Sequence, residues 1–229
     1  MAKHVIKYDI GEVLLTYGEI QQRLNEMAHN IRETYMDEDA IHLVCVLEGA
    51  RRINNALKER LERSAGKPVH VHEVKASSYV GNRSTGNVIV DRATPRGLKR
   101  AVIPEDVIEK GNTVRKVKGM LEEDGAKVDV FGLIVKPECM DPDAGFEPDY
   151  VGHRARADQF VIGFGIDWDG DGRGHCCVGV GKEVDQIGKF GPHKMQKVNL
   201  IPAYLDSLPE EEASYLTSKW AAAEMEYAI

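Results

Sequence analysis

The sequence has few cysteines, no surplus of positive charge and no long apolar run. Its 229 residues include four cysteines. Cys176 and Cys177 are adjacent and no pair has CxxC spacing, so we expect reduced, buried thiols and no zinc site. No apolar run approaches the roughly 18 residues that a membrane helix needs, and the first residues lack the apolar stretch of a signal peptide. We therefore expect a cytoplasmic protein without a membrane partner.

The charge balance is acidic. The sequence has 30 lysine and arginine residues against 37 aspartate and glutamate residues, which gives a formal net charge of −7. Proteins that bind nucleic acid usually carry a basic surplus or a basic stripe. The basic segment at residues 92–100 is more typical of a solvated loop. We therefore expect no nucleic-acid partner, and an anionic substrate would need a few placed groups and a metal ion to neutralise it.

Alternating helical and strand patterns predict an α/β fold. Thr16 and Glu19 form a capping-box pattern at the start of a helix predicted at residues 16–35, and further helices are predicted after Gly49 and at residues 113–124. A mobile loop is predicted at residues 76–86, which are small, polar and glycine-bearing. This order of elements implies a mostly parallel sheet flanked by helices. Strands are predicted at residues 41–47, 69–74, 87–91, 127–135, 160–166 and 176–180.

The last part of the chain is predicted to be separate from this domain. We expect a domain at residues 1–182 and a C-terminal extension at residues 183–229. Within the extension, Leu216, Trp220, Ala223 and Tyr227 fall on one face of a predicted helix. Two alternatives stay open, since that face can pack on its own domain or on a second subunit.

Two short patterns suggest metal sites, and neither is favoured. His70 and His72 share the exposed face of a predicted strand, but no third ligand lies near them in the sequence, so surface histidines are the favoured interpretation. Residues 167–172 imitate the start of an EF-hand loop. The twelfth position of that loop is Val178, where calcium binding needs a bidentate glutamate.

The segment at residues 104–113, PEDVIEKGNT, carries the pattern that points to chemistry. A predicted strand delivers two adjacent carboxylates, Glu105 and Asp106, to its C-terminal end, where open α/β sheets bind ligands. Backbone amides at a helix N-terminus, a glycine that permits close approach and a threonine hydroxyl suit a phosphate monoester. Carboxylates in turn accept hydrogen bonds from vicinal hydroxyls, so the segment predicts a sugar-phosphate site. The loop that enters the helix consists of Lys110, Gly111, Asn112 and Thr113.

The same segment resembles the signature of the hypoxanthine-guanine phosphoribosyltransferase family. That signature is a strand, a Glu-Asp pair, two apolar residues, an acid, a small residue, a glycine and a threonine two positions further, and residues 102–113 follow this order. The resemblance extends over residues 13–182. It implies a type I phosphoribosyltransferase fold with a small hood. It also implies transfer of the 5-phosphoribosyl group of phosphoribosyl pyrophosphate to a purine base, with release of pyrophosphate.

The resemblance implies roles for several other segments. A pyrophosphate loop is expected at Leu47, Glu48 and Gly49, and a lid over the site is expected at Ser78 and Tyr79. The lid would exclude water while the bond to pyrophosphate breaks.

A purine-binding segment is expected at Lys136, Phe160 and Val161. Phe160 offers a face on which a purine can stack. Lys136 carries only hydrogen-bond donors, so it can bind a carbonyl oxygen at position 6 of the purine but not an amino group. The resemblance therefore implies hypoxanthine, guanine or xanthine, and not adenine, as the base.

The remaining roles concern the metal ion and the leaving group. The resemblance makes Mg²⁺ the expected cofactor, with Asp167 as its main ligand and Glu105 and Asp106 as further ligands. Arg173 matches an arginine that contacts pyrophosphate. Like other members of the family, the protein is expected to form a homo-oligomer.

Three positions depart from the family's pattern. Glu109 stands where the family has an aspartate that accepts the proton of the base, and Lys110 stands where it has a small hydroxyl residue. Lys110 could reach the 5′-phosphate or pair with Glu109. Glu48 replaces a basic residue, whose charge Arg51 or Arg52 could supply. We expect an enzyme with an altered base preference or a modest rate.

Two classes of function are consistent with the sequence. The first is a transferase that acts on a 6-oxopurine or, as a variant, on a modified base. The second is a protein of the same fold that senses a nucleotide or phosphoribosyl pyrophosphate without turning it over, since one fold can host both activities.

Overall fold

The structure is a computed structural model, and it describes residues 8–80, 83–90, 95–167 and 172–183. These residues form two β-sheets and three α-helices. These residues lie in one compact unit, Met1–Asp185. The predicted C-terminal extension at 183–229, including its helix, lies outside the described residues except for Glu183, so the predicted domain boundary stays a prediction. The helices are α1 (Tyr17–Thr34), α2 (Arg51–Ser64) and α3 (Asn112–Glu123).

The larger sheet has six strands in the spatial order β4-β3-β2-β5-β6-β7. The pairs β2/β3, β2/β5, β5/β6 and β6/β7 are parallel, and only β3/β4 is antiparallel. The prediction of a mostly parallel sheet flanked by helices is therefore confirmed. Its strands are β2 (Ile41–Leu47), β3 (Val69–Val80), β4 (Arg83–Val90), β5 (Arg100–Ile108), β6 (Lys127–Val135) and β7 (Tyr150–Arg154).

The smaller sheet is antiparallel, with the order β1-β9-β8, and it is the hood that the family resemblance implies. Its strands are β1 (Tyr8–Leu15), β8 (Val161–Ile162) and β9 (Val178–Glu183). The strand predicted at 160–166 is wrong in extent. Gly163 and Gly165 adopt φ values of 105° and 98°, and these positive angles turn the chain directly after β8. The strand predicted at 176–180 begins two residues later, as β9.

Both faces of the parallel sheet are buried. On one face α1 and α2 cover Leu43 and Val102, and on the other face α3 covers Val44 and Ile103. Neighbouring residues of one strand thus enter different cores, which explains why these strands are apolar without alternation. In α1 the predicted capping box is present, since Glu19 accepts from the Thr16 amide at 2.8 Å. None of the helices in the described ranges is long and apolar enough to cross a membrane.

The prediction of a mobile loop at residues 76–86 is wrong for most of that segment. In the structure β3 continues to Val80 and β4 begins at Arg83, so most of the predicted loop is an antiparallel hairpin. Residues 77–80 extend β3 beyond its parallel partner β2, whose last paired residue is Leu47. Small polar residues suggested a loop, but backbone pairing in a hairpin does not require apolar side chains.

Candidate active site

Three loops of the candidate site follow neighbouring strands of the parallel sheet. The loop at residues 48–50 follows β2, the loop at 109–111 follows β5, and Lys136 follows β6. Since β2, β5 and β6 are parallel neighbours, their C-terminal ends meet at one edge of the sheet. That edge is where open α/β sheets bind ligands.

The acidic pair, Glu105 and Asp106, lies within the last residues of β5, and each residue is only 9% exposed. Burial raises the pKa of Asp106 to about 6, although the Val107 amide and Arg173 act in the opposite direction. Burial, followed by the charge of Asp106, raises the pKa of Glu105 well above its usual range. Among the described atoms, Glu105 Oε2 is buried without a hydrogen-bond partner. The pair therefore presents carboxyl groups that a ligand's hydroxyl donors can satisfy.

The position of Asp106 also explains why the loop after β2 contains a glycine. A side chain at Gly49 would collide with the Asp106 carboxyl group, so only glycine permits this close approach. The peptide bond between Leu47 and Glu48, in the same loop, is cis. Strands β2 and β5 thus bring the predicted pyrophosphate loop against the acidic pair.

The loop after β5 turns into α3 as the sequence predicts. Gly111 adopts a φ of 70°, and α3 begins at Asn112 without a side-chain cap on its first amides. Glu109, Lys110 and Asn112 are exposed, whereas Thr113 is partly buried. The Phe146 ring approaches Gly111 so closely that a Cβ there would lie 2.9 Å from its Cε1 atom. Phe146 thus covers this loop, a contact that the sequence analysis missed.

The residues expected to bind the base come together. Lys136 is buried, with 3% of its side chain exposed, and its ammonium group pairs with Glu109, which is 52% exposed. The Lys136 Nζ atom lies 6.0 Å from the centre of the Phe160 ring, and that residue is 39% exposed. Val161 is buried beside it in β8. The suggestion that Lys110 pairs with Glu109 is not supported, because the partner of Glu109 in the structure is Lys136.

A turn at residues 172–175 carries the predicted pyrophosphate arginine. Arg173 pairs with Asp167 at 2.6 Å, and its Nη1 donates to the Gly165 carbonyl at 3.1 Å. Arg52, in the first turn of α2, donates to the carbonyls of Arg173 and His175, both at 3.1 Å. Its guanidinium group also lies 4.5 Å from the centre of the Phe164 ring. Arg52 therefore holds this turn, which we name the Arg173 turn, in place.

Of the two arginines that could replace the missing basic residue, Arg51 is the one beside the loop after β2. It pairs with Glu73 at 2.7 Å and approaches Glu48 to 3.7 Å, and 43% of its side chain is exposed. Arg52, by contrast, binds two backbone carbonyls. The sequence analysis named both arginines as possible replacements for the basic residue. Nothing in the sequence indicates that Arg52 organises a turn more than 100 positions away.

The acidic pair and the Arg173 turn are close enough to interact. The charge of Arg173 lowers the pKa of Asp106, and that of Asp167 raises it. In the described ranges, no three histidine, cysteine or carboxylate side chains converge on a point where a metal ion could bind. The side chains of Ser78 and Tyr79 lie outside the described part of the structure, so the lid contacts stay predictions.

Comparisons with known proteins agree with this geometry. Residues 14–167 match the family model of the phosphoribosyl transferase domain. The hypoxanthine-guanine-xanthine phosphoribosyltransferase of Plasmodium falciparum is 31% identical over 189 residues, which cover 76% of this chain and 79% of that protein.

Solved structures also resemble the chain. A hypoxanthine phosphoribosyltransferase from Staphylococcus aureus has a TM-score of 0.66 at 26% identity, covering 76% of this chain and 92% of that one. The Trypanosoma cruzi hypoxanthine phosphoribosyl transferase, studied for the role of its C-terminal region in oligomeric state and enzymatic activity, has a TM-score of 0.65 at 25% identity, covering 79% of this chain and 94% of that one. The chain belongs to the hypoxanthine-guanine phosphoribosyltransferase family and is a phosphoribosyltransferase enzyme.

Proposed function

We propose that the protein transfers the 5-phosphoribosyl group of phosphoribosyl pyrophosphate to a 6-oxopurine, namely hypoxanthine, guanine or xanthine, and releases pyrophosphate. The observation that carries the proposal is the buried Lys136, whose ammonium group lies beside both the Phe160 ring and the Glu109 carboxylate. An ammonium group donates hydrogen bonds and accepts none. A purine stacked on Phe160 would therefore be selected for an oxygen at position 6.

Glu109 and Lys136 would act together on the base. The two side chains pair with each other, and a purine would take over part of that pairing. Lys136 would donate to the oxygen at position 6, and Glu109 would accept the proton that leaves the base nitrogen as the glycosidic bond forms. The exposure of Glu109 supports this role, because its carboxylate can reach a ligand that enters from solvent.

The ribose phosphate would occupy the loop after β5 and the acidic pair. The amides of Lys110 to Thr113 and the Thr113 hydroxyl would bind the 5′-phosphate. Glu105 and Asp106 would accept hydrogen bonds from the ribose hydroxyls. The buried Oε2 atom of Glu105, which has no partner among the described atoms, supports this assignment because such an atom is costly unless a ligand satisfies it.

The pyrophosphate group would lie between the loop at Leu47 to Gly49 and Arg173, with Arg51 as a further cation. Mg²⁺ commonly binds to one or two carboxylates together with substrate phosphates and water. Asp167 and Asp106 fit that donor set, since their charges act on each other and a cation would relieve the repulsion. We propose that Asp167 would hold the ion, which would neutralise the departing pyrophosphate. Asp106 and Glu105 would contribute through bound water or the substrate, because the three carboxylates do not converge on one point among the described residues.

Three further parts of the proposal rest on the family. Ser78 and Tyr79 would belong to a lid that excludes water from the site. The C-terminal extension would contribute to a homo-oligomer, by analogy with the Trypanosoma cruzi protein, whose C-terminal region was studied for its role in oligomeric state. A cytoplasmic location stays a prediction from the sequence.

The test is an assay of the purified protein with phosphoribosyl pyrophosphate and Mg²⁺, in which hypoxanthine, guanine, xanthine and adenine are offered separately. We expect nucleotide from at least one 6-oxopurine and none from adenine. Turnover of adenine would contradict the role of Lys136. Binding of phosphoribosyl pyrophosphate without product from any of the four bases would contradict the proposed substrate class and favour a sensor or a modified base.

A further inference from the structure

Cys176 and Cys177 form a pair of thiols next to the Arg173 turn, and the proposed transfer reaction gives them no role. The expectation that they are buried is not met, since both are partly exposed while Cys45 is buried. They lie in a bend directly before β9. In an extended strand adjacent side chains point to opposite faces, whereas in this bend the Cys177 thiol lies near enough to lower the pKa of Cys176. The bend therefore holds two neighbouring free thiols at a partly exposed position.

The surroundings of Cys176 favour its thiolate. The hydrogen bond from Cys177 is the largest cause that lowers the pKa of Cys176, to about 6, and the charge of Arg52 adds to it. Burial in the core raises the pKa of Cys45 to about 12. The thiolate is the reactive form of cysteine, and thiolates with a second thiol nearby are the ones that peroxides convert to disulfides.

The backbone on either side of the pair is bound to the site. Arg52 donates to the carbonyls of Arg173 and His175, and the His175 carbonyl also accepts from the Phe164 amide at 3.0 Å. After the pair, the Cys177 carbonyl lies directly against Gly163, where any Cβ would collide with it. A change in the backbone at Cys176 and Cys177 must therefore shift the Arg173 turn or break these contacts.

We propose that Cys176 and Cys177 are a peroxide-sensitive dithiol that controls binding of the pyrophosphate group at Arg173. The Cys176 thiolate attacks one oxygen of a hydroperoxide, which forms a sulfenic acid and releases hydroxide or alkoxide. The Cys177 thiol then attacks the sulfenic sulfur, which forms the disulfide and releases water. The hydroperoxide is the two-electron oxidant. The small ring that results changes the backbone at both cysteines and displaces Arg173.

The effect on pyrophosphate rests on the proposed function, whereas the formation of the disulfide does not. The full-length protein is compared before and after treatment with hydrogen peroxide. Peptide mass spectrometry should show the segment with both cysteines lighter by about 2 Da, the mass of two hydrogens, and dithiothreitol should restore it. The KM for phosphoribosyl pyrophosphate should rise by about five- to tenfold, a modest coupling between neighbouring sites. The KM for the base should stay the same.

Single-cysteine variants provide the controls. Cys176→Ser and Cys177→Ser should both remove the response of KM to peroxide. Cys139→Ser, which keeps the pair and removes another partly exposed thiol, should respond like the unmodified sequence. A disulfide to Cys139 or to a second chain would overturn the proposal. So would a gain of about 32 Da at Cys176, the mark of sulfinic acid, or a disulfide that leaves KM unchanged.

A binding measurement separates this proposal from the transfer reaction. Calorimetry gives the affinity of the reduced and oxidised protein for phosphoribosyl pyrophosphate with Mg²⁺, without any base present. If the reduced protein binds it but makes no nucleotide, the proposed function fails and the dithiol proposal is decided by the two affinities. Equal affinities would overturn the dithiol proposal, and a loss on oxidation would support it.

Discussion

The proposed base side, at Lys136 and Glu109, and the proposed pyrophosphate side, at Arg173 and Asp167, each hold a cation against a carboxylate, yet they do so in different ways. Lys136 follows a central strand of the parallel sheet and is 3% exposed, and its amide donates to the Ile108 carbonyl at 2.9 Å. Arg173 lies on a turn next to the hood and is 41% exposed. The core of the domain fixes the first cation, whereas the turn that carries the second is held by the Arg52 side chain and by backbone hydrogen bonds from the amides of Phe164 and Gly165. The base side should therefore tolerate little change, and the pyrophosphate side should be adjustable.

The largest effect is expected from Lys136→Met. Methionine keeps the length of the side chain but removes every donor, so the oxygen at position 6 of the purine loses a charged hydrogen bond. We expect kcat/KM for hypoxanthine to fall about 100-fold, near the upper range for a hydrogen bond to a charged group. Steady-state kinetics of the variant and of Lys116→Met, an exposed lysine in α3, provide the measurement and its control. A fall of similar size in the control would show a general defect instead.

Arg52→Lys should have a smaller effect, confined to the pyrophosphate side. Lysine lacks the planar guanidinium group that lies over the Phe164 ring and holds Nη1 where it donates to both carbonyls. The Arg173 turn should loosen, and the KM for phosphoribosyl pyrophosphate should rise about tenfold. The KM for the base should change little. Arg63→Lys, at the exposed end of the same helix, is the matched control. If both substrates lose affinity equally, Arg52 supports the whole site and the contrast between the two sides is wrong.

Glu109→Asp should change the base side by a still smaller amount. The extra methylene of glutamate carries its carboxylate to the Lys136 ammonium group. Aspartate would draw the carboxylate back and leave both groups more available to a purine. We expect kcat/KM for hypoxanthine to rise by less than about tenfold, within the effect of small displacements of catalytic groups. Glu123→Asp, an exposed position in α3, is the control. A fall in kcat/KM would mean that the glutamate suits this site or a different base.

Much of the fold was predictable because its signals are local. The capping box of Thr16 and Glu19 depends on four consecutive residues, and it forms as expected. The apolar strand at Ile41–Leu47 and the segment at 104–113 carry their own patterns, and parallel pairing then brings their C-terminal ends to one edge. The meeting of Glu109, Lys136 and Phe160 followed from the family resemblance, since these residues are spread over more than 50 positions.

The features that the sequence could not predict depend on contacts between distant residues. Arg52 reaches the Arg173 turn across 121 positions, and nothing near Arg52 in the sequence signals that contact. The hairpin of β3 and β4 has the small, polar composition of a loop. The sequence could not reveal it, because antiparallel pairing joins backbone groups and leaves no apolar pattern in the side chains. The two histidines of β3 acquire a third, His42, only because β2 pairs beside them in parallel, with His42 opposite His70.

The smallest effect is expected from substitutions in this histidine cluster, and it concerns the pH dependence of stability. The cluster lies in the first half of the β2/β3 pairing, away from the C-terminal strand ends that carry the site. His42 Nδ1 lies 3.0 Å from His72 Nε2, and the rings of His42 and His70 stack. Burial, followed by the neighbouring imidazoles, lowers the pKa of His42 and of His72, although Glu38 acts in the opposite direction on His42.

The sign of the pH effect follows from these lowered pKa values. The unfolded chain binds more protons than the folded protein once the pH falls below the ordinary histidine pKa of about 6.5, so stability should be lost as the pH falls through that value. Urea denaturation at about pH 7.5 and pH 5.5 should show a smaller loss for His72→Asn than for the unmodified sequence. His29→Asn, on the exposed face of α1, should lose as much stability as the unmodified sequence. If His72→Asn also loses that much, the loss of stability in acid comes from groups outside this cluster. Asp106 is not one of them, because its raised pKa makes the folded protein take up a proton before the unfolded chain does, which stabilises the fold in acid.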